Sequence, residues 1–432
     1  MLLALGVVKV ATAEQLRQLV LPGTADVQTV RNVCKDLRSV GLVESVGRTS
    51  FVSSSGRPVW RDLWNLTSAG LASAATELGR PVKEIGGTAR DAAKAGAPHA
   101  LAVTDTIDAF RQSPPQPTKP IARRTTPVPA PARELPTRPP GLGHLRGWET
   151  EVPLPVSGTF TTPARGSLRA DAVLTAPEAG VPVLFVEVDN HTEPDAVVAR
   201  KVESYRRFFQ RTTKDHRDRP VPFWRTLWDD SGRDGYPPLA LVFAKDDVSP
   251  ESRMNRMKKI RDLSAACWQG TWHSGSVYDD TVKDGYRDYS GTIPVLATTL
   301  AQLRLHGPHG PVWWRYGHPG WETLQDALDN PEDLRGYRHR EEQRRTEHTA
   351  QREREHQEQQ EAESRRKAAA WPCPTCHRQV FPDDGETRPP GSDCTVCTSI
   401  NKREREAAEE LAAEESAARE EAKKNGLFGF LR

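Results

Sequence analysis

The amino-acid sequence predicts a multidomain α+β protein with a small metal-binding module near its C-terminus. Three patterns lead to this prediction. The N-terminal part alternates short helical runs with a strand hairpin, and residues 148–330 alternate strands with helices. Two Cys-x-x-Cys pairs then follow a long charged segment. With 432 residues, the chain is long enough for two or three folded units.

We predict a winged helix-turn-helix domain over residues 1–112. Thr12 and Gln15 have the spacing of a capping box, which opens a short first helix. A second helix is predicted from Val27 to Val40, where apolar residues recur at spacings of three and four. This second helix is predicted to enter the major groove of double-stranded DNA. Its predicted DNA-binding side chains are Gln28, Thr29, Arg31, Asn32, Lys35 and Arg38.

The hairpin after this helix is predicted to be the wing. Leu42–Phe51 and Val59–Leu66 have the composition of two strands, with a polar turn between them. Arg48 and Arg57 are predicted to contact DNA phosphates from this hairpin. The alternative is that these are ordinary solvated positions and that the domain is a protein adaptor.

The remaining domain boundaries follow from shifts in composition. Residues 113–147 form a proline-rich linker, and residues 148–330 form an α/β domain. Residues 331–370 contain almost nothing apolar, so we predict a charged helix and no coiled-coil seam; a disordered linker is the alternative. A further helix with an apolar tail occupies residues 401–432.

Acidic residues at strand positions suggest a cation site in the α/β domain. Asp171 lies in one predicted strand, and Glu187 and Asp189 end the next. Alternate strand residues share a face, so Glu187 and Asp189 point the same way and could hold Mg²⁺ with Asp171. Lys201 follows on the next helix. The alternative is that these acids only pair with nearby cations such as Arg200.

This order of residues resembles the PD-(D/E)XK nuclease superfamily. The resemblance implies a restriction-endonuclease-like core with Asp171, Glu187, Asp189 and Lys201 as catalytic candidates. The sequence departs from the pattern because Asp189 occupies the place of the lysine, for which Lys201 could substitute. The resemblance therefore implies either a divalent-metal-dependent nuclease or nickase, or a fold retained without cleavage.

The order of parts also resembles the replication-relaxation family of actinobacterial plasmids and mobile elements. The matching stretches are Ala11–Leu16, Trp64–Gly70, His99–Asp105, and Phe185–Asp189 with Lys201 and Tyr205. This resemblance implies a role in plasmid replication or DNA relaxation.

The two cysteine pairs predict a zinc ribbon over residues 371–400. A Cys-x-x-Cys turn places two thiolates at adjacent corners of a tetrahedron, and two such turns complete the coordination sphere. Four thiolates leave no open position, which indicates a structural Zn²⁺ and not a catalytic one. The predicted ligands are Cys373, Cys376, Cys394 and Cys397, with His377 as an alternative to one of them.

Other function classes find little support. The 60 basic and 58 acidic residues leave no overall basic charge, so any nucleic-acid surface must be local. No apolar run is long enough to span a bilayer and no secretion signal is present, so a cytoplasmic location is expected. We expect a non-catalytic DNA-binding protein; the alternatives are the nuclease and a scaffold that binds proteins through its charged helix or apolar tail.

Overall fold

A computed structural model describes most of the chain and divides it into two compact units. The units are residues 1–338 and 339–432. The described residues are 1–22, 26–52, 57–82, 85, 92–111, 139–160, 162–275, 284–381 and 389–428. The predicted hairpin turn, most of the proline-rich linker, part of the ribbon loop and the end of the apolar tail lie outside them. The finer domain boundaries stay a prediction.

The described residues contain helices and strands in both units. The helices are α1 Leu2–Val8, α2 Ala13–Val20, α3 Val27–Ser39, α4 Ser68–Leu78, α5 Ala92–Arg111, α6 Asp195–Gln210, α7 Pro250–Leu263, α8 Ala265–Trp268, α9 Leu300–His306, α10 Leu324–Leu328, α11 Leu334–Ala368 and α12 Thr395–Phe428. The strands are β1 Val10–Ala11, β2 Val43–Val52, β3 Pro58–Leu66, β4 Gly147–Leu154, β5 Leu168–Ala176, β6 Val181–Asp189, β7 Thr212–Lys214, β8 Pro220–Pro222, β9 Leu239–Phe243, β10 Thr271–Ser274, β11 Gly285–Asp288, β12 Val295–Thr299, β13 Trp314–Arg315, β14 Trp371–Pro372 and β15 Gln379–Val380.

The N-terminal elements are the helices α1 to α4 and a small antiparallel sheet in the order β1-β3-β2. The predicted capping box opens α2: the Gln15 amide donates to Thr12 Oγ1 at 3.3 Å, and Gln15 Oε1 accepts from the Thr12 amide at 3.0 Å. Helix α3 and the hairpin β2–β3 lie within one or two residues of their predicted bounds. The apolar stripe of α3 is buried at Val30 and Cys34.

Helix α4 packs closely against the segment that follows α3. Thr67 caps the helix by accepting from the Gly70 amide, and the Thr67 amide donates to the Leu42 carbonyl. A Cβ at Gly70 would lie 1.9 Å from that carbonyl oxygen. Glycine is therefore required at this position because any side chain would collide with backbone.

The central sheet has six strands in the order β13-β12-β9-β6-β5-β4. The three middle strands, β12, β9 and β6, are parallel, and the remaining neighbours are antiparallel. One face packs against α6 and α7 around Phe185, Phe208 and Ile260. The other face packs against α5 and α9, and its core continues into the N-terminal helices through residues such as Leu16 and Ile107. The N-terminal elements and the sheet thus share one core.

The C-terminal unit contains most of α11, the strand pair β14–β15 and α12. Helix α11 has no buried residue, which fits its charged composition. Helix α12 begins at Thr395, inside the second cysteine pair and six residues before the predicted start. None of the helices in the described ranges combines the length and apolar character needed to cross a membrane.

Candidate functional site

The exposed surface of α3 carries most of the predicted DNA-binding side chains. Gln28, Thr29, Asn32, Lys35 and Arg38 are exposed. The side chain of Gln28 donates to Asn32 Oδ1 at 3.0 Å, as expected for residues four apart on a helix.

Arg31 differs from the other side chains of α3. It is half-buried, and its guanidinium lies 2.8 Å from Glu14 Oε1 on α2. This ion pair holds α3 against α2. Arg31 therefore has a structural contact that sequence reasoning did not identify.

The hairpin β2–β3 has two unlike faces. Arg48 is exposed and pairs with Asp62 on the opposite strand at 2.9 Å, and Arg57 is exposed at the start of the returning strand. On the other face, the guanidinium of Arg61 lies over the ring of Phe51, 4.5 Å from its centroid. The two predicted phosphate contacts are thus on the surface.

Glu187 lies at the centre of a buried polar cluster between β6 and α6. Its Oε1 accepts from the Tyr205 hydroxyl at 2.8 Å, and its Oε2 lies 3.2 Å from Lys201 Nζ. Burial, with Asp171 nearby, raises the pKa of Glu187. Burial acts to lower the pKa of Lys201, but the carboxylates of Glu187 and Asp171 outweigh it and raise that pKa. Lys201 is therefore protonated and balances the buried acids.

Tyr205 acts as a hydrogen-bond donor in this cluster. It is fully buried, and burial together with the two nearby carboxylates raises its pKa well above the ordinary value. A phenol whose ionisation is disfavoured is a poor nucleophile, and the hydroxyl of Tyr205 donates to Glu187 and orients it.

Asp171 links the acid cluster to helix α5. Its Oδ2 accepts from the Val188 amide at 2.7 Å, and its Oδ1 lies 3.0 Å from His99 Nε2. The hydrogen bond with Asp171 raises the pKa of His99 despite the opposing effect of burial. His99 was not among the predicted site residues, although it begins the His99–Asp105 segment that carried the family resemblance. Its partner lies 72 residues away, so the sequence alone could not show the contact.

Asp189 has a different environment from Glu187, although both belong to β6. Arg256 on α7 binds it through two contacts, Nε to Oδ2 at 2.6 Å and Nη2 to Oδ1 at 2.9 Å. Among the described residues, Asp171, Glu187 and Asp189 do not form a group whose ligand atoms all lie within 4.8 Å of one another. A cation at Asp189 would therefore have to compete with Arg256, and the metal role of these acids stays a prediction.

A cleft of about 840 Å³ lies beside this acid cluster. His99, which contacts Asp171, is one of the residues that line it. Helix α2 and the hairpin border it through residues such as Arg17 and Phe51. The opposite wall comes from the ends of the parallel strands: Asn190 follows β6, Lys245 follows β9, and Leu300 follows β12. Ligands of α/β proteins commonly bind at the carboxyl ends of parallel strands. The cleft thus lies between the N-terminal elements and the sheet, and both contribute to its walls.

The four predicted zinc ligands lie together in the C-terminal unit. One Sγ from each of Cys373, Cys376, Cys394 and Cys397 lies within 4.8 Å of the others, close enough to bind a metal ion. Tetrahedral Zn–S bonds of about 2.3 Å would place neighbouring sulfurs about 3.8 Å apart. Cys376 Sγ and Cys394 Sγ are 3.7 Å apart, so the spacing fits zinc.

Backbone amides and one carboxylate organise this cysteine cluster. The Cys394 amide donates to Cys373 Sγ at 3.3 Å, and the Cys397 amide donates to Cys394 Sγ at 3.4 Å. Asp393 accepts from the Thr375 amide at 3.2 Å. Such contacts to sulfur favour thiolates, which are the form that binds metal.

Comparisons with known proteins bear on the first unit. A family model described as replication-relaxation matches residues 2–221, which is half of the chain. The chain belongs to the replication-relaxation family. The match covers the N-terminal elements, α5, the acid cluster and α6, and it leaves α11 and the cysteine cluster outside. A search of curated proteins and a search of solved structures each gave no match.

Proposed function

We propose that this member of the replication-relaxation family is a non-catalytic DNA-binding protein of plasmid or mobile-element replication and maintenance. The observation that carries the proposal is the exposed polar and basic surface of α3, directly followed by a hairpin with two exposed arginines. In this proposal the N-terminal elements are a winged helix-turn-helix, and α3 lies in the major groove.

The side chains of α3 are suited to both parts of DNA recognition. Lys35 and Arg38 supply charge for phosphates, and Gln28 and Asn32 have the amide groups that pair with adenine edges. Because Arg31 is already paired with Glu14, its contribution to DNA binding is expected to be smaller than that of Lys35 or Arg38.

A gel-shift titration of random-sequence duplex tests this proposal. The double variant K35A/R38A should weaken binding, and the slope of affinity against salt should fall by about 0.9 for each phosphate that the variant no longer neutralises. A matched control is R200A/K258A, which removes two exposed cations from α6 and α7. Equal affinities of the two double variants would show that α3 is not the helix that binds DNA.

A second candidate is divalent-metal-dependent cleavage or nicking of DNA in the acid cluster. The specific observation in its favour is that Lys201 lies 3.2 Å from Glu187, where a lysine of the PD-(D/E)XK pattern would act. In this candidate Asp171 and Glu187 would hold Mg²⁺, and Asp189 would join them only after leaving Arg256.

Supercoiled plasmid incubated with Mg²⁺ or Mn²⁺ tests the second candidate. Nicking that is lost in D171A and in E187A, but kept in K35A/R38A at high protein concentration, would support it. Plasmid that stays supercoiled with both metals would reject it and leave the DNA-binding proposal standing.

For the C-terminal unit we propose a structural zinc ion held by Cys373, Cys376, Cys394 and Cys397. The sulfur spacing supports zinc, and a site with four thiolates has no open position for a substrate. Binding of the ion would supply folding free energy to a segment with only a small apolar cluster.

A further inference from the structure

The hairpin β2–β3 carries an unusually exposed tryptophan. Trp60 is 63% exposed, compared with 47% for Trp272 and 43% for Trp321. A tryptophan side chain usually buries a large area and contributes strongly to cores and interfaces. Single exposed apolar side chains are ordinary on protein surfaces, so the exposure of Trp60 gains meaning only from the residues around it.

Strand register places Trp60 on the outer face of the hairpin. Trp60 pairs with Ser50, and Asp62 pairs with Arg48 two residues further along. Because alternate residues share a face, these four side chains lie on one side of the hairpin. Arg61 is on the opposite side, where it lines the cleft. Trp60 is therefore not part of the wall of the cleft.

The charges near Trp60 favour a polyanionic partner. Arg57 precedes it by three residues and is exposed, and Arg48 lies on the same face of the hairpin, where it is paired with Asp62. Helix α3, which ends four residues before β2 begins, adds the exposed cations Lys35 and Arg38. An aromatic side chain among cations is a common arrangement for contact with nucleic-acid bases and backbone together.

We propose that Trp60 is a wedge that packs against a partly unstacked base step of the duplex bound by α3. The proposal rests on the DNA-binding function proposed above and adds a deformation of the DNA to it. Apolar wedges inserted from a groove unstack a base step and bend the duplex. The indole gains burial, Arg57 contacts an adjacent phosphate, and Arg48 contacts another by exchanging its ion pair with Asp62.

The first test compares affinities for one random-sequence duplex by fluorescence anisotropy. W60A should bind about tenfold more weakly than the unsubstituted chain, which corresponds to about 1.4 kcal/mol. W60F should retain part of the affinity because it keeps an aromatic ring. The matched control W272A removes another exposed tryptophan of the same unit and should bind like the unsubstituted chain.

The second test reports unstacking directly. A duplex containing 2-aminopurine becomes brighter when the labelled step unstacks, so the unsubstituted chain and W272A should raise the fluorescence at saturating protein while W60A should not. Equal affinity and equal brightening for W60A and the unsubstituted chain would overturn the wedge but leave the DNA-binding proposal intact. If the unsubstituted chain binds no duplex, the DNA-binding proposal fails and the wedge fails with it.

Discussion

His99 Nε2 and Asp171 Oδ1 lie 3.0 Å apart and join helix α5 to strand β5. His99 lines the cleft, and the other oxygen of Asp171 accepts from the Val188 amide on β6, the strand that carries Glu187. The contact therefore connects the cleft to the buried acid cluster. The structural consequences of this and other contacts can be measured separately from any activity on DNA.

The His99–Asp171 contact predicts a pH dependence of stability. The folded pKa of His99 lies above its ordinary value of 6.5, so the contact stabilises the fold fully below that pH. The stabilisation disappears as the pH rises through the folded pKa. In D171N, which can still accept from the Val188 amide, the NMR-titrated pKa of His99 should fall. An unchanged His99 pKa in D171N would contradict the contact.

Lys201 is predicted to stabilise the buried carboxyl group of Glu187. K201A should lower the free energy of unfolding by about 1–3 kcal/mol because it removes one hydrogen-bond partner of that buried group. The double variant K201A/E187Q should recover part of that stability, as measured by urea denaturation. Strictly additive effects of the two substitutions would show that the pair does not interact.

Gly70 is predicted to tolerate no side chain. In G70A the new Cβ would meet the Leu42 carbonyl oxygen at 1.9 Å, so the backbone at Leu42 or the start of α4 must shift. We expect this shift to lower the free energy of unfolding by about 1–3 kcal/mol. Thermal unfolding measures the decrease in stability. The control T76A changes an exposed position of the same helix and should have little effect; an equally stable G70A would contradict the close approach.

The cysteine cluster is predicted to hold one zinc ion per chain. C373S should abolish zinc content, as measured by mass spectrometry of the metal, and should unfold the segment around β14 and β15. The control C267A removes a buried cysteine that packs in the central core and should keep its zinc. Zinc retained in C373S, or absent to the same degree in C267A, would contradict the assignment.

Local patterns predicted most of the elements. The capping box of Thr12 and Gln15 and the strand ending at Asp189 could be predicted because their signals lie within a few residues. The environment of Asp189 could not, because Arg256 is 67 residues away and depends on the packing of α7. Gln15 shows both cases: it also donates to Asp105 Oδ1 on α5 at 2.8 Å, a contact that no local pattern indicates.

The core shared by the N-terminal helices and the central sheet also fixes the position of α3 relative to that sheet. A DNA-binding domain on a flexible linker would let the rest of a protein sample many positions along a bound duplex. Here Leu16 of α2 and Ile107 of α5 belong to the same core as the strands β5 and β6. If α3 binds DNA as proposed, anything that this unit does to the duplex would therefore occur at a fixed number of base pairs from the sequence that α3 contacts.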